Sequence, residues 1–135
     1  MMRLLCDTHI LLWYLAGDER LSEKARALMD DESNEILFSV VSVWEIAIKH
    51  GRKPDKLTVS ARAFVKFCEE QGFLEYPLND RHIFALDTLT RPKNASEHHA
   101  PFDRLLLAQA KTDSLIFLTH DALIPQYGEN CVLPV

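Results

Sequence analysis

Short runs of apolar residues alternate along this chain with longer segments in which apolar residues recur every three or four positions. The short runs are typical of buried β-strands, and the longer segments are typical of amphipathic helices. The predicted strands are, in chain order, Arg3–Cys6, Glu35–Ser39, Phe73–Leu78, Leu115–Leu118 and Cys131–Leu133. Repeated alternation of strand and helix predicts an α/β fold, in which helices cover both faces of a central parallel sheet.

Capping residues and glycines set the expected ends of the helices. Thr8 is predicted to cap the first helix, and Ser42 with Glu45 forms a potential capping box for the third. Gly17 and Gly51 are predicted to end these two helices. The segment 90–101 is polar, contains two prolines and is predicted to be a loop. The predicted helices are His9–Ala16, Ser22–Met29, Val43–His50, Ser60–Gln71, Asp80–Leu89 and Phe102–Thr112.

The composition indicates one compact domain over residues 1–135. The chain is 47% hydrophobic and 26% charged, which supplies a core and argues against disorder. Its three cysteines are widely spaced and form no CxxC pair, so neither a disulfide framework nor a zinc knuckle is expected. The apolar stretch after Arg3 is interrupted by Asp7 and His9 and is too short to span a bilayer, so a cytoplasmic location is expected.

The net charge of −5 is unusual for a protein that binds nucleic acid, since such proteins normally carry a basic face. A metal-dependent nuclease, however, needs acidic residues at its centre and can keep its lysines and arginines at the rim. One dense basic segment, Lys49–Lys56, immediately follows the helix that carries Glu45. Charge alone therefore does not exclude a polyanionic substrate.

Four acidic residues, Asp7, Glu45, Asp103 and Asp121, lie where a predicted strand ends or a predicted helix begins. These positions share one edge of a parallel sheet. Two carboxylates about 5 Å apart repel by about 3 kcal/mol at an effective dielectric constant of 20. A divalent cation relieves that repulsion, and oxygen ligands suit Mg²⁺ or Mn²⁺. The pattern favours a metal-dependent phosphoryl-transfer site.

Each acid also has a purely structural interpretation. Asp7 and Asp121 are good helix caps, and Asp103 can complement a helix dipole. Glu45 fits the capping box with Ser42 and an ion pair with Lys49.

A zinc site is a further alternative. His98, His99 and His120 lie near Asp103 and Asp121 in the sequence, but no zinc-binding spacing is present.

Four segments together resemble the PIN-domain ribonucleases, and among them the VapC-type toxins of bacterial toxin–antitoxin pairs. The segments are DTHILLWYLAG, SVVSVWEIAIK, HHAPFDRLLLAQA and LTHD, which match in order and spacing over nearly the whole chain. The resemblance implies a three-layer PIN-like α/β fold, Mg²⁺- or Mn²⁺-dependent cleavage of RNA, a homodimer and a small inhibitory antitoxin.

The resemblance also assigns residues. It places the metal-binding acids at Asp7, Glu45, Asp103 and Asp121, with the hydroxyls of Thr8 and Thr119 in support. His98 and Arg104 match the family's H-x-D-P-F-D-R string, in which the first Asp is replaced here by Ala100. We expect Arg104, Lys49, Arg52 and Lys53 to contact RNA phosphates.

Two other functions stay open at this point. A PIN-like domain with weak or no catalysis would act as a binding or scaffold module, and the substitution at Ala100 weakly favours that idea. A metal-dependent phosphatase acting on small substrates would use the same acids.

Overall fold

Five short strands form the centre of the molecule. The computed structural model describes residues 1–95 and 100–135. The strands are β1 (Arg3–Cys6), β2 (Glu35–Ser39), β3 (Leu74–Tyr76), β4 (Ile116–Thr119) and β5 (Val132–Pro134). All of them are parallel and pair in the order β3-β2-β1-β4-β5. The predicted α/β fold with a central parallel sheet is confirmed.

Helices connect the strands on both sides of this sheet. They are α1 (Thr8–Ala16), α2 (Glu23–Asp30), α3 (Val40–Arg52), α4 (Ala61–Glu70), α5 (Asp80–Phe84) and α6 (Pro101–Thr112). Two 3₁₀ turns, Ala85–Thr88 and Ile124–Tyr127, complete the regular structure. Within residues 1–95 and 100–135, no helix has the length and apolar character needed to cross a bilayer.

Neighbouring residues of the central strands β1 and β2 point into two separate cores, which gives the fold its three layers. Leu4 packs in a core with residues of α1, α2 and α4, whereas its neighbour Leu5 packs in a second core with α6. Phe38 and Leu37 divide between the same two cores. Strands buried on both faces read as continuous apolar runs, which is the pattern that the sequence shows.

The start of α3 differs from the prediction. The helix begins at Val40, and the Ser39 hydroxyl caps it by accepting from the Val41 amide at 2.9 Å. Ser42 therefore lies inside the helix, and the predicted capping box with Glu45 is wrong. Ser39 caps the helix earlier than predicted, because Val41, which follows it, packs into the core.

Three other element ends also differ. α3 continues through Gly51 to Arg52, so the predicted stop at Gly51 is wrong. The predicted helix over Asp80–Leu89 is a short α5 followed by a 3₁₀ turn. Thr8 is the first residue of α1 rather than its cap. Local sequence signals place the ends of a helix only to within one or two residues, because packing against neighbouring segments also affects where the helix stops.

Candidate active site

Parallel strand order brings distant parts of the chain to one edge of the sheet. β1 and β4 are neighbours, and the Asp7 amide, just beyond β1, donates to the Leu118 carbonyl oxygen at 2.9 Å. β2 pairs with the other side of β1 and leads directly into α3, which carries Glu45. The carboxyl ends of these three central strands therefore supply Asp7, Thr119 and the start of α3.

Thr119 links Asp7 to the loop that carries Asp121. Its hydroxyl donates to Asp7 Oδ2 at 2.8 Å and accepts from the Asp121 amide at 3.1 Å. Thr119 is fully buried, and Asp7 is 2% exposed. One carboxylate oxygen of Asp121 accepts from the Leu123 amide at 2.8 Å, so this acid also shapes its own turn.

Asp7 is a buried carboxyl group, and the described residues satisfy only one of its two oxygens. Its second oxygen, Oδ1, is buried and has no hydrogen-bond partner among the described residues. Burial raises the pKa of Asp7, and the charge of Glu45 raises it further, although the bond from Thr119 and the nearby His9 oppose that rise. Asp7 does occupy the N-cap position of α1, but its side chain makes no capping bond to that helix.

Glu45 lies in a second buried polar cluster on α1 and α3. Its Oε1 accepts from the Thr8 hydroxyl at 2.7 Å, and its Oε2 accepts from Lys49 Nζ at 2.5 Å. The Thr8 hydroxyl also lies 2.8 Å from the hydroxyl of Ser42, which is fully buried. Both carboxylate oxygens of Glu45 therefore have hydrogen-bond partners within the protein. The ion pair between Glu45 and Lys49 that the sequence suggested is confirmed.

Asp103, in the first turn of α6, also lies in an environment that disfavours its charged form. Burial, followed by the charges of Asp7, Glu45 and Asp121, raises the pKa of Asp103 to about 8. A hydrogen bond with Asp121 acts in the same direction. A helix N-terminus normally favours an ionised carboxylate, so the neighbouring acids outweigh the helix dipole here. All four predicted acids are consequently within electrostatic reach of one another.

The donor set suits a hard divalent cation, with one qualification. Carboxylate and hydroxyl oxygens are the ligands that Mg²⁺ and Mn²⁺ prefer, and the unpaired Asp7 Oδ1 is an available ligand atom. Among residues 1–95 and 100–135, however, no three acidic, histidine or cysteine side chains already surround a common point as metal ligands. Since Mg²⁺ usually keeps several waters and binds through one or two carboxylates, the residues fit such an ion.

The predicted phosphate-binding residues are more scattered. Arg52 and Lys53 are exposed at the end of α3, and Lys49 is committed to Glu45. The guanidinium of Arg104 donates to the Leu86 carbonyl oxygen at 3.4 Å. The proposed positions of His98 and His99 lie outside the described residues.

Two neighbours of the acids were not assigned from the sequence. Ser42 was interpreted only as a helix cap, yet it contacts Thr8 beside Glu45. His9 lowers the pKa of Asp7 through its charge, and its ring lies 6.0 Å from that of Trp13. Its place two residues after Asp7, at the start of a helix, was the available signal.

Comparison with known proteins agrees with this arrangement. Three solved structures share the fold: VapBC2 from Rickettsia felis bound to a promoter DNA fragment, DNA-bound VapBC from Salmonella typhimurium, and FitAcB from Neisseria gonorrhoeae. Their TM-scores are 0.67, 0.64 and 0.63, with sequence identities of 12%, 12% and 18%. The first two alignments cover 99% of this chain and 98% of the other, and the third covers 96% of each.

Comparison of the sequence with models of protein families identifies the family of this chain. No curated protein matches the chain. The sequence model of the PIN domain, in contrast, matches residues 4–130, which include β2, β3 and β4, all but the first residue of β1, and all four acids. The chain therefore belongs to the PIN domain family.

Proposed function

We propose that this protein is a Mg²⁺- or Mn²⁺-dependent endoribonuclease and the toxin of a toxin–antitoxin pair. The observation that carries the proposal is the buried edge of the sheet, where Asp7, Glu45, Asp103 and Asp121 perturb one another's charge. Holding four acids together costs stability unless a ligand compensates it. A fold that keeps them together while leaving Asp7 Oδ1 unpaired is arranged to bind a cation.

The chain's own residues divide the work of phosphodiester hydrolysis. Asp7, Asp103 and Asp121 would hold the ion, directly or through water, and Glu45 would complete the shell. Thr119 fixes the orientation of Asp7 and joins it to the Asp121 loop. Thr8 orients Glu45 in the same way. When bound, such an ion supplies a water of lowered pKa as nucleophile and neutralises charge on the phosphate oxygens.

Substrate phosphates would be held at the rim of the acidic site. Arg52 and Lys53 are exposed beyond Glu45 at the end of α3, where they can pair with backbone phosphates of RNA. Arg104 lies one residue from Asp103 and is the third candidate. Contacts of this kind fix the position of a strand without reading its sequence.

A protein partner belongs to the same proposal. The named structures with this fold are VapBC and FitAcB complexes. By analogy, this chain would bind a small antitoxin that covers the acidic edge, and it would form a homodimer in the cytoplasm.

The direct test is cleavage of single-stranded RNA by the purified protein with Mg²⁺, Mn²⁺ or EDTA. We expect cleavage only with a divalent ion and its loss in Asp121→Asn. Cleavage that persists in EDTA would refute the metal-dependent assignment. Growth arrest on induced expression, relieved by co-expression of a candidate antitoxin, tests the toxin assignment separately.

The same material distinguishes the alternatives. A phosphatase would hydrolyse nitrophenyl phosphate and leave RNA intact. A scaffold without catalysis would bind no Mn²⁺ in a calorimetric titration. The buried cluster with an unpaired Asp7 oxygen favours the nuclease over the scaffold, because a scaffold gains nothing from keeping it.

A further inference from the structure

Lys49 forms an ion pair with Glu45, one of the four acids of the site. Its ammonium lies 2.5 Å from Glu45 Oε2, while the Glu45 side chain is only 4% exposed. The other oxygen of Glu45 is held by Thr8, which is supported by Ser42. Glu45 is thus fully satisfied by a lysine and a hydroxyl before any metal ion arrives.

This pairing has a consequence for metal binding. With Glu45 directed to Lys49, the described part of the chain offers no three acids arranged around one point. A divalent ion would have to take Glu45 from Lys49, or else bind without it. The positive charge of the lysine also repels the ion. At a separation of about 6 Å, such repulsion weakens binding about tenfold even at the dielectric constant of water.

The Lys49 side chain can move away from Glu45. Half of its side chain is exposed, and it sits on a flexible stem that carries a compact, strongly hydrated charge. It lines a groove of about 530 Å³ that runs from Thr8 and Glu45 along α1. Lys56 lines the same groove. A lysine that moves from Glu45 into this groove keeps its charge in water or on an anion bound there.

We propose that Lys49 is a resident counter-ion of the site, which holds Glu45 until a divalent cation displaces it. The displaced ammonium then becomes available to a substrate phosphate, so that metal and substrate each favour binding of the other. This inference rests on the proposed metal-dependent function. It assigns Lys49 a role beyond that of a simple phosphate contact or a surface ion pair.

The experiment is a calorimetric titration of Mn²⁺ into substrate-free protein and into Lys49→Met. We expect the variant to bind Mn²⁺ about tenfold more tightly, because both the competitor for Glu45 and the repelling charge are removed. Lys56→Met is the matched control, since it removes the same charge from the same groove without breaking a contact to Glu45. We expect its affinity to change by no more than about twofold, because solvent screens the more distant charge.

Thermal unfolding supplies a second readout that does not depend on activity. In EDTA, Lys49→Met should melt below the parent, since Glu45 is left as a buried unpaired charge. Added Mn²⁺ should then raise its melting temperature by more than it raises that of the parent. Lys49→Arg keeps the charge and guards against a folding defect, and its response to Mn²⁺ should match the parent's.

The outcomes separate this proposal from the proposed function. If the parent binds Mn²⁺ and Lys49→Met binds it no more tightly, Lys49 is an ordinary ion pair and only this inference fails. If no variant binds Mn²⁺, the metal-dependent function fails and this inference fails with it.

Discussion

Replacing Asp103 by Asn should stabilise the metal-free protein, whereas the same change at Asp113 should destabilise it. The pKa of Asp103 is raised to about 8 by burial and by the neighbouring acids. Burial alone would raise the pKa of Asp113 as well, but hydrogen bonds from Tyr76, His82 and Arg81 outweigh it and lower that pKa to about 2. The two positions form a matched pair with opposite signs.

The size of each effect follows from linkage between protonation and folding. One pKa unit corresponds to about 1.4 kcal/mol. For Asp103 the folded pKa lies above the unfolded one, so stability is full below about pH 4 and falls as the pH rises towards 8. At pH 7 the ionisation of Asp103 lowers the free energy of unfolding by at most about 4 kcal/mol. The loss is roughly half of that once solvent screening of this partly exposed group is considered. Asn removes this cost.

For Asp113 the folded pKa lies below the unfolded one. Its contribution is at most about 2 kcal/mol, and roughly half of that once solvent screening is considered; it is present above pH 4 and is lost as the pH falls towards 2. The Asp113→Asn variant should therefore lose about 1–2 kcal/mol at pH 7, because Arg81 and His82 lose a charged partner.

Urea unfolding in EDTA at pH 5, 7 and 8.5 measures these free energies. The advantage of Asp103→Asn over the parent should grow with pH, and it should shrink or reverse when Mn²⁺ is present. An advantage that is the same at all three values, or a variant less stable than the parent at pH 7, would contradict the proposed electrostatic cluster.

Three other predictions follow from individual contacts. Asp7→Asn should abolish divalent-dependent RNA cleavage yet melt no lower than the parent in EDTA, because the neutral side chain keeps an acceptor for Thr119; a clear fall in melting temperature would show that the charge supports the fold. Ser42→Ala should lower cleavage several-fold and cost about 1 kcal/mol, since it removes the hydrogen bond between the Ser42 and Thr8 hydroxyls beside Glu45; unchanged urea unfolding and unchanged cleavage would remove any role for Ser42. Phe117→Ala should destabilise the protein by about 3–5 kcal/mol through a cavity beside α6, and a loss under 1 kcal/mol in urea would contradict the assigned core.

The sequence alone determined the alternation of strands and helices and the edge at which the acids gather. Apolar runs bounded by Asp7 and Thr119 predict buried parallel strands because both faces of such strands must be covered. The carboxyl ends of these strands share one edge for geometric reasons, so residues more than one hundred positions apart could be expected to meet. The bond between Thr119 and Asp7 is one such meeting.

Only the tertiary structure decided which partner each polar group takes. Ser42 and Glu45 match the sequence pattern of a capping box, yet Ser39 caps the helix instead. Glu45 accepts its hydrogen bond from Thr8, which belongs to another helix. Asp7 is a residue type favoured at helix caps and occupies the cap position of α1, but its side chain makes no capping hydrogen bond. Hydrogen bonds and charges act over a few ångströms between atoms that the chain order does not place side by side. Local patterns therefore predict the elements and their common edge, and only the packed fold selects the contacts made there.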